Sequence, residues 1–200
     1  ARGELFKKMT YQQLGNYETI DQTEAAKYLG SLNYVDAKRI GIFGWSYGGY
    51  MASSCILKSP DMFKADIAVA PVANWKWYDT IYTERYMRTL AENEDGYRNN
   101  SPVYFADQLK GSYLLVHGMG DDNVHFQHTA EMANPPLIAN QPFATYFYPN
   151  RNHGTYGGPT RPHLYSKMTE FLNDNPKGTS AASGRPTGAP RVEPMRKGKA

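Results

Sequence analysis

Arg39-Ile40-Gly41-Ile42-Phe43-Gly44-Trp45-Ser46-Tyr47-Gly48-Gly49-Tyr50, running on into Met51-Ala52-Ser53-Ser54-Cys55-Ile56-Leu57, is the stretch on which the fold turns. Its first third is a short apolar run bounded by glycine, the pattern of a buried strand. Its last third has helical character and stops before Pro60. Between them Gly44-Trp45-Ser46-Tyr47-Gly48 fits G-x-S-x-G, in which small residues let a strand turn sharply into a helix and push the serine hydroxyl outward. A chain of this length meets that pattern by chance roughly once in fifteen cases, so the pattern alone decides little. Its place between a strand and a helix is what gives it weight, since a Gly-rich turn with a solvated serine needs no such flanks.

Outward from the turn, the alternation continues. Asp66-Ile67-Ala68-Val69-Ala70, Tyr113-Leu114-Leu115-Val116-His117 and Ala144-Thr145-Tyr146-Phe147-Tyr148 read as further strands, with helical segments near 124–133 and 162–172. A helix is expected from Asp21, taken as an acidic N-cap with Glu24 three residues on, to Gly30. Asn134-Pro135-Pro136 predicts that the helix near 124–133 stops at about Asn134, because an interior proline costs roughly 3 kcal/mol. Short apolar strands separated by helices predict an α/β fold with a mostly parallel sheet covered on both faces.

Two hundred residues, 40% of them hydrophobic, suffice for one core. Residues 1–174 are expected to form that domain, and 175–200, rich in Pro, Gly, Ser and basic residues, a disordered tail. Six basic residues but only one acid follow Asn175, which leaves 16 Lys+Arg against 18 Asp+Glu in the body. No basic face is left there for nucleic acid. Cys55 is the only cysteine, so neither an intrachain disulfide nor a cysteine zinc site can form. No apolar run approaches the roughly 20 residues of a membrane-spanning helix. The opening Ala1-Arg2-Gly3-Glu4 and the four strands read as the C-terminal part of a larger protein. Its compartment is left open: a periplasmic or membrane-associated parent is the working expectation and a cytoplasmic one the alternative.

A serine hydroxyl needs a base to remove its proton, and that base needs an acid to orient it. In α/β-hydrolases the order along the chain is serine, acid, histidine, with the last two on loops after later strands. Asp121 and Asp122 follow the third strand, and His153, in Asn150-Arg151-Asn152-His153-Gly154, follows the fourth. His117 ends a strand too early, His125 and His128 fall at a helix start, and His163 lies in the last helix, so His153 is the expected base. On placement alone either Asp121 or Asp122 could orient it, the other serving as a helix cap near Val124. A competing reading groups Asp121, Asp122, His125 and His128 as metal ligands. It leaves the serine turn unexplained, so no metal and no cofactor is expected.

Four segments together carry a resemblance. Gly44-Trp45-Ser46-Tyr47-Gly48-Gly49-Tyr50, Ala68-Val69-Ala70-Pro71-Val72, the run from Tyr78 to Met87 (YDTIYTERYM) and that from His117 to Phe126 (HGMGDDNVHF) resemble the dipeptidyl peptidase IV branch of the prolyl oligopeptidase family. The resemblance runs from about Leu14 to Leu172. It implies a serine exopeptidase that releases dipeptides after a penultimate Pro or Ala, with Ser46 as nucleophile, Asp121 as triad acid and His153 as base. It implies that the Tyr47 backbone N–H is one oxyanion donor, the other being a tyrosine hydroxyl upstream of residue 1. It further implies that Tyr47, Val72, Trp75, Tyr78, Tyr82 and Val124 surround the substrate proline and that Asn123 bonds the preceding carbonyl. Spacing alone would place Trp75, Tyr78, Tyr82 and Tyr86 on one helix face as ordinary core. Peptide substrates, an upstream β-propeller that holds the substrate amine, and a possible homodimer are the implied partners. Alternatives within the family are tripeptidyl, acylaminoacyl or ester hydrolysis, or a fragment inactive for want of the second oxyanion donor.

Overall fold

A computed structural model describes residues 2–141 and 143–175, and the expected disordered tail lies outside them apart from Asn175. Four strands, β1 (Gly41–Trp45), β2 (Ala65–Val69), β3 (Ser112–Gly118) and β4 (Ala144–Tyr148), form one sheet in the order β1-β2-β3-β4, with every pairing parallel. Around and between them lie α1 (Glu4–Lys7), α2 (Asn16–Gly30), α3 (Tyr47–Lys58), α4 (Thr80–Met87), α5 (Glu94–Asn99), α6 (Gln127–Ile138) and α7 (Thr160–Asp174).

Strand periodicity divides the core. Ala68, Tyr113 and Leu115 pack with Cys55, Ile56 and Leu57 of α3 and Met132 of α6. Their neighbours Ile67, Val69, Leu114 and Val116 pack with Leu164 and Met168 of α7. Both faces are therefore apolar, which is why β2 reads as a continuous buried run instead of an alternating one. The third cluster joins Leu14, which precedes α2, to Tyr50, Val72, Trp75, Met87, Tyr97 and Val124 from the segments that follow β1, β2 and β3.

Register fixes where the chemistry can lie. Trp45 pairs with Val69, Val69 with Val116, and Val116 with Tyr146, so the carboxyl ends of all four strands fall together. The loops that leave those ends carry Ser46, the aromatic segment, Asp121 and His153 in turn. Crevices at this edge are where parallel α/β sheets place their sites.

Three local expectations differ from the structure. β1 begins at Gly41 because Ala37–Arg39 forms a 3₁₀ turn, with the Asp36 carboxylate accepting from Lys38 N at 2.9 Å. α2 begins at Asn16, five residues before Asp21, because Gly15 adopts a left-handed N-cap (φ 87°) and Glu18 Oε2 accepts the Gly15 N–H at 3.0 Å. α6 runs through Pro135 and Pro136 to Ile138 instead of stopping near Asn134. The proline φ is already helical, and the missing donors fall in the last turn, where the Pro135 and Pro136 carbonyls still accept from Ala139 N and Gln141 N.

Candidate active site

Ser46 stands at φ 60°, ψ −120°, between the last residue of β1 and the first of α3. A non-glycine residue in that region is strained by about 1–3 kcal/mol. Fixed bonds hold it there, Ser46 N donating to Val69 O at 2.8 Å and Tyr50 N to Ser46 O at 2.9 Å. The turn closes because Gly44 has no side chain: a Cβ there would collide with the Gly48 carbonyl, and one on Gly49 would press on Val69 O at 2.9 Å. A Cβ on Gly48 would meet nothing within 4 Å. Tyr47 is the first residue of α3, so its backbone N–H is among those with no acceptor inside the helix.

Asp121 and His153 come together. His153 Nδ1 lies 2.7 Å from Asp121 Oδ2, with the Asp121 side chain fully buried and that of His153 at 23% exposure. The other carboxylate oxygen, Oδ1, accepts from Asn123 N at 2.9 Å and Val124 N at 3.0 Å. Burial pushes the Asp121 carboxyl up, but the bonds from His117, His153 and the Asn123 amide outweigh it and hold the group well below the ordinary carboxylate range. Asp122 is exposed and caps no turn; the capping contact expected of it near Val124 is made by Asp121. The two loops are laced by main-chain bonds, Met119 N to Tyr148 O and Gly120 N to Arg151 O. Trp45 Nε1 donates to His153 O at 3.0 Å, bringing the residue before the serine against the histidine. The described hydrogen bonds include none between the Ser46 hydroxyl and the imidazole; such contacts are often loose before substrate binds.

The aromatic residues form one continuous array. Trp75 stacks on Tyr82 with ring centroids 6.0 Å apart, Tyr78 meets both edge-on, and Tyr47 approaches Trp75 at 5.9 Å. Trp75, Val72 and Val124 are buried, whereas Tyr47, Tyr78 and Tyr82 are half-buried. The array thus has a packed floor of Trp75, Val72 and Val124 and a half-buried rim of Tyr47, Tyr78 and Tyr82. At the rim Tyr78 Oη donates to Asn123 Oδ1 at 2.7 Å, which leaves the Asn123 amide NH₂ available.

Asp121, Asp122, His125 and His128 do not converge. Asp122 and His125 are exposed, while buried His128 accepts from Ala73 N through Nδ1 at 3.0 Å. Burial, followed by the neighbouring His117, pushes His128 down to about 4. Among the described residues no group of three or more such side chains could hold a metal ion.

Three residues of this region escape sequence reasoning. Glu18 Oε1 accepts from Tyr47 Oη at 2.8 Å, and burial together with that carboxylate raises the Tyr47 hydroxyl well above its ordinary value. Arg161 donates to Gly154 O and lies over the rings of Trp45 and Tyr156. His117 sits against Asp121 Oδ2 at 3.1 Å. Only the four-residue step from His117 at a strand end to Asp121 in the following turn hinted at any of them.

Comparison with known proteins extends these observations. The chain is 41% identical over 174 residues to dipeptidyl peptidase 4 of Felis catus, covering 86% of this chain and 23% of that protein. It is 40% identical over 174 residues to prolyl endopeptidase FAP of Mus musculus, again covering 86% and 23%. The crystal structure of Porphyromonas gingivalis dipeptidyl peptidase 4 superposes with a TM-score of 0.86 at 51% identity, over 88% of this chain and 25% of that one. The chain thus spans about a quarter of the length of these relatives, and over that span it has the α/β-hydrolase fold of a catalytic domain. A sequence model of the prolyl oligopeptidase family matches residues 1–179, which takes in all four strands and every loop described above: the chain belongs to that family.

Proposed function

We propose that residues 1–174 are the catalytic part of a serine peptidase that releases N-terminal dipeptides after a penultimate Pro or Ala. The observation that carries this reading is the His153–Asp121 bond at the same sheet edge as the strained Ser46. His153 takes the Ser46 proton as the hydroxyl oxygen attacks the carbonyl carbon after proline. The proton then passes to the leaving amine as the C–N bond breaks, and water attacks the resulting ester to return the serine. Asp121 fixes the tautomer, since its Oδ2 requires a proton on His153 Nδ1 and leaves Nε2 to act as the base.

The Tyr47 backbone N–H stabilises the developing oxyanion, helped by its position at the start of α3. A second donor and the groups that hold the substrate amine come from a β-propeller and an intervening segment of the parent protein. Tyr47, Val72, Trp75, Tyr78, Tyr82 and Val124 receive the proline ring. Burying about 100 Å² there contributes about 2.5 kcal/mol, nearly a hundredfold in selection. The free NH₂ of Asn123 bonds the carbonyl of the preceding residue.

A fluorophosphonate probe followed by peptide mass mapping tests the triad. Label on Ser46, absent from Ser46→Ala, Asp121→Asn and His153→Ala, is expected; label elsewhere or none at all would overturn it. Gly-Pro and Gly-Gly amides with free and blocked amino termini then test specificity. A similar relative is named a prolyl endopeptidase, so turnover of the blocked Gly-Pro amide would support post-proline cleavage within chains as the second reading.

A further inference from the structure

His117 is the penultimate residue of β3 and is fully buried, with no part in the proton transfers just described. Its Nε2 faces two oxygens, Val124 O at 2.7 Å and Asp121 Oδ2 at 3.1 Å. A main-chain carbonyl and an ionised carboxylate can only accept, so Nε2 carries a proton and donates to both. Its Nδ1 lies 2.7 Å from Thr129 Oγ1 on α6, and the Phe126 ring meets the imidazole edge-on at 5.8 Å. The ring is thus held from three sides.

The consequence lies on Asp121. Two main-chain amides occupy Oδ1, and His153 and His117 share Oδ2, so four donors surround one carboxylate. Without the His117 contact Oδ2 would be held by the catalytic imidazole alone, the group it has to orient. Val124, whose carbonyl takes the other branch of the same donor, is also a wall of the aromatic pocket.

We infer that His117 is a positioning residue: its Nε2–H fixes Asp121 Oδ2 for His153 and couples that carboxylate to the Val124 wall of the pocket. The inference rests on the triad proposed above. It is tested by a pair of polar variants that separate the donor from the bulk. The amide nitrogen of His117→Gln reaches the place of Nε2 and keeps the donor, whereas that of His117→Asn reaches only the place of Nδ1.

In the full protein, two readouts are compared across wild type, Gln and Asn: the rate of Ser46 acylation by a fluorophosphonate, and the downfield proton resonance of the His153–Asp121 hydrogen bond. Acylation of the Gln variant within about threefold of wild type and roughly a hundredfold slower in the Asn variant is expected. The resonance is expected to be kept in Gln and lost or moved upfield in Asn, with circular dichroism unchanged in both. Equal loss in both variants, or equal retention in both, would overturn the inference, because neither follows the donor. The resonance reports the acid–base pair whether or not the serine reacts. Its donor-dependent pattern in a protein whose Ser46 is not acylated would therefore support His117 and count against the hydrolase reading.

Discussion

Trp45 and His153 are joined by a hydrogen bond from the indole Nε1 to the main-chain oxygen of the histidine, at 3.0 Å, across 108 residues of sequence. Arg161 grips the same corner, its guanidinium over the Trp45 ring and bonded to Gly154 O. Trp45→Phe keeps an aromatic ring, smaller than the indole, and deletes the donor. A stability loss of about 1 kcal/mol is expected, with up to about tenfold slower acylation of Ser46. Urea denaturation and probe kinetics measure the two effects. An acylation rate equal to wild type would show that the bond does not steer the base.

The two glycines of the serine turn should not behave alike. Gly44→Ala drives a methyl into the Gly48 carbonyl, so a loss of several kcal/mol or failure to fold is expected. Gly48→Ala points its methyl into open space near the start of a helix and should be neutral or stabilising by up to about 1 kcal/mol. Thermal melting of both variants checks the contrast.

Strain at Ser46 predicts an inverted order of stability. Ser46→Ala removes the hydroxyl but keeps a side chain at φ 60°, whereas Ser46→Gly relieves the conformation. Glycine is expected to be the more stable variant by about 1 kcal/mol, despite its greater freedom when unfolded. An alanine variant as stable as the glycine one would mean that the turn stores no strain.

Asp66 gives a pH dependence of definite sign. Both carboxylate oxygens are buried without a hydrogen-bond partner among the described residues, and burial raises the group well above the ordinary carboxylate range. The folded chain keeps a proton that the unfolded chain releases near the ordinary carboxylate value of 3.8. The folded state is therefore favoured fully below that pH and loses stability as pH rises through the folded value, by up to about 1.4 kcal/mol per pH unit. Asp66→Asn should remove this slope, so the variant gains on wild type between pH 4 and pH 7 in urea titrations. Parallel pH profiles would refute the assignment.

The fold was legible because its strands are short apolar runs and its serine turn is a local pattern; both survive without tertiary information. Choosing Asp121 over Asp122 required the family resemblance, since both follow β3, and only the fold brings Oδ2 of one against His153. His117 was set aside for lying too early to be the base. Its role depends on a turn that folds Asp121 and Val124 back over the strand end, which spacing along the chain does not reveal. The acidic Asp21 reads as a cap five residues inside α2, while the left-handed Gly15 and its partner Glu18, which cap it, carry no comparable signal in the sequence. The prolines of α6 are a poor stop signal for a local reason: they fall in its last turn, where their own carbonyls still accept from Ala139 N and Gln141 N.

The long separation between Trp45 and His153 also bears on when reactivity can arise during synthesis. A ribosome that has completed β1 and α3 has made Ser46, yet His153 lies 95 residues beyond Lys58, the last residue of α3. At about 5–20 residues per second, that leaves roughly 5–20 s in which the serine exists without its histidine. On the proposed triad, a nascent chain therefore passes through the cell's crowded translation machinery unarmed until the loop that follows β4 has been made.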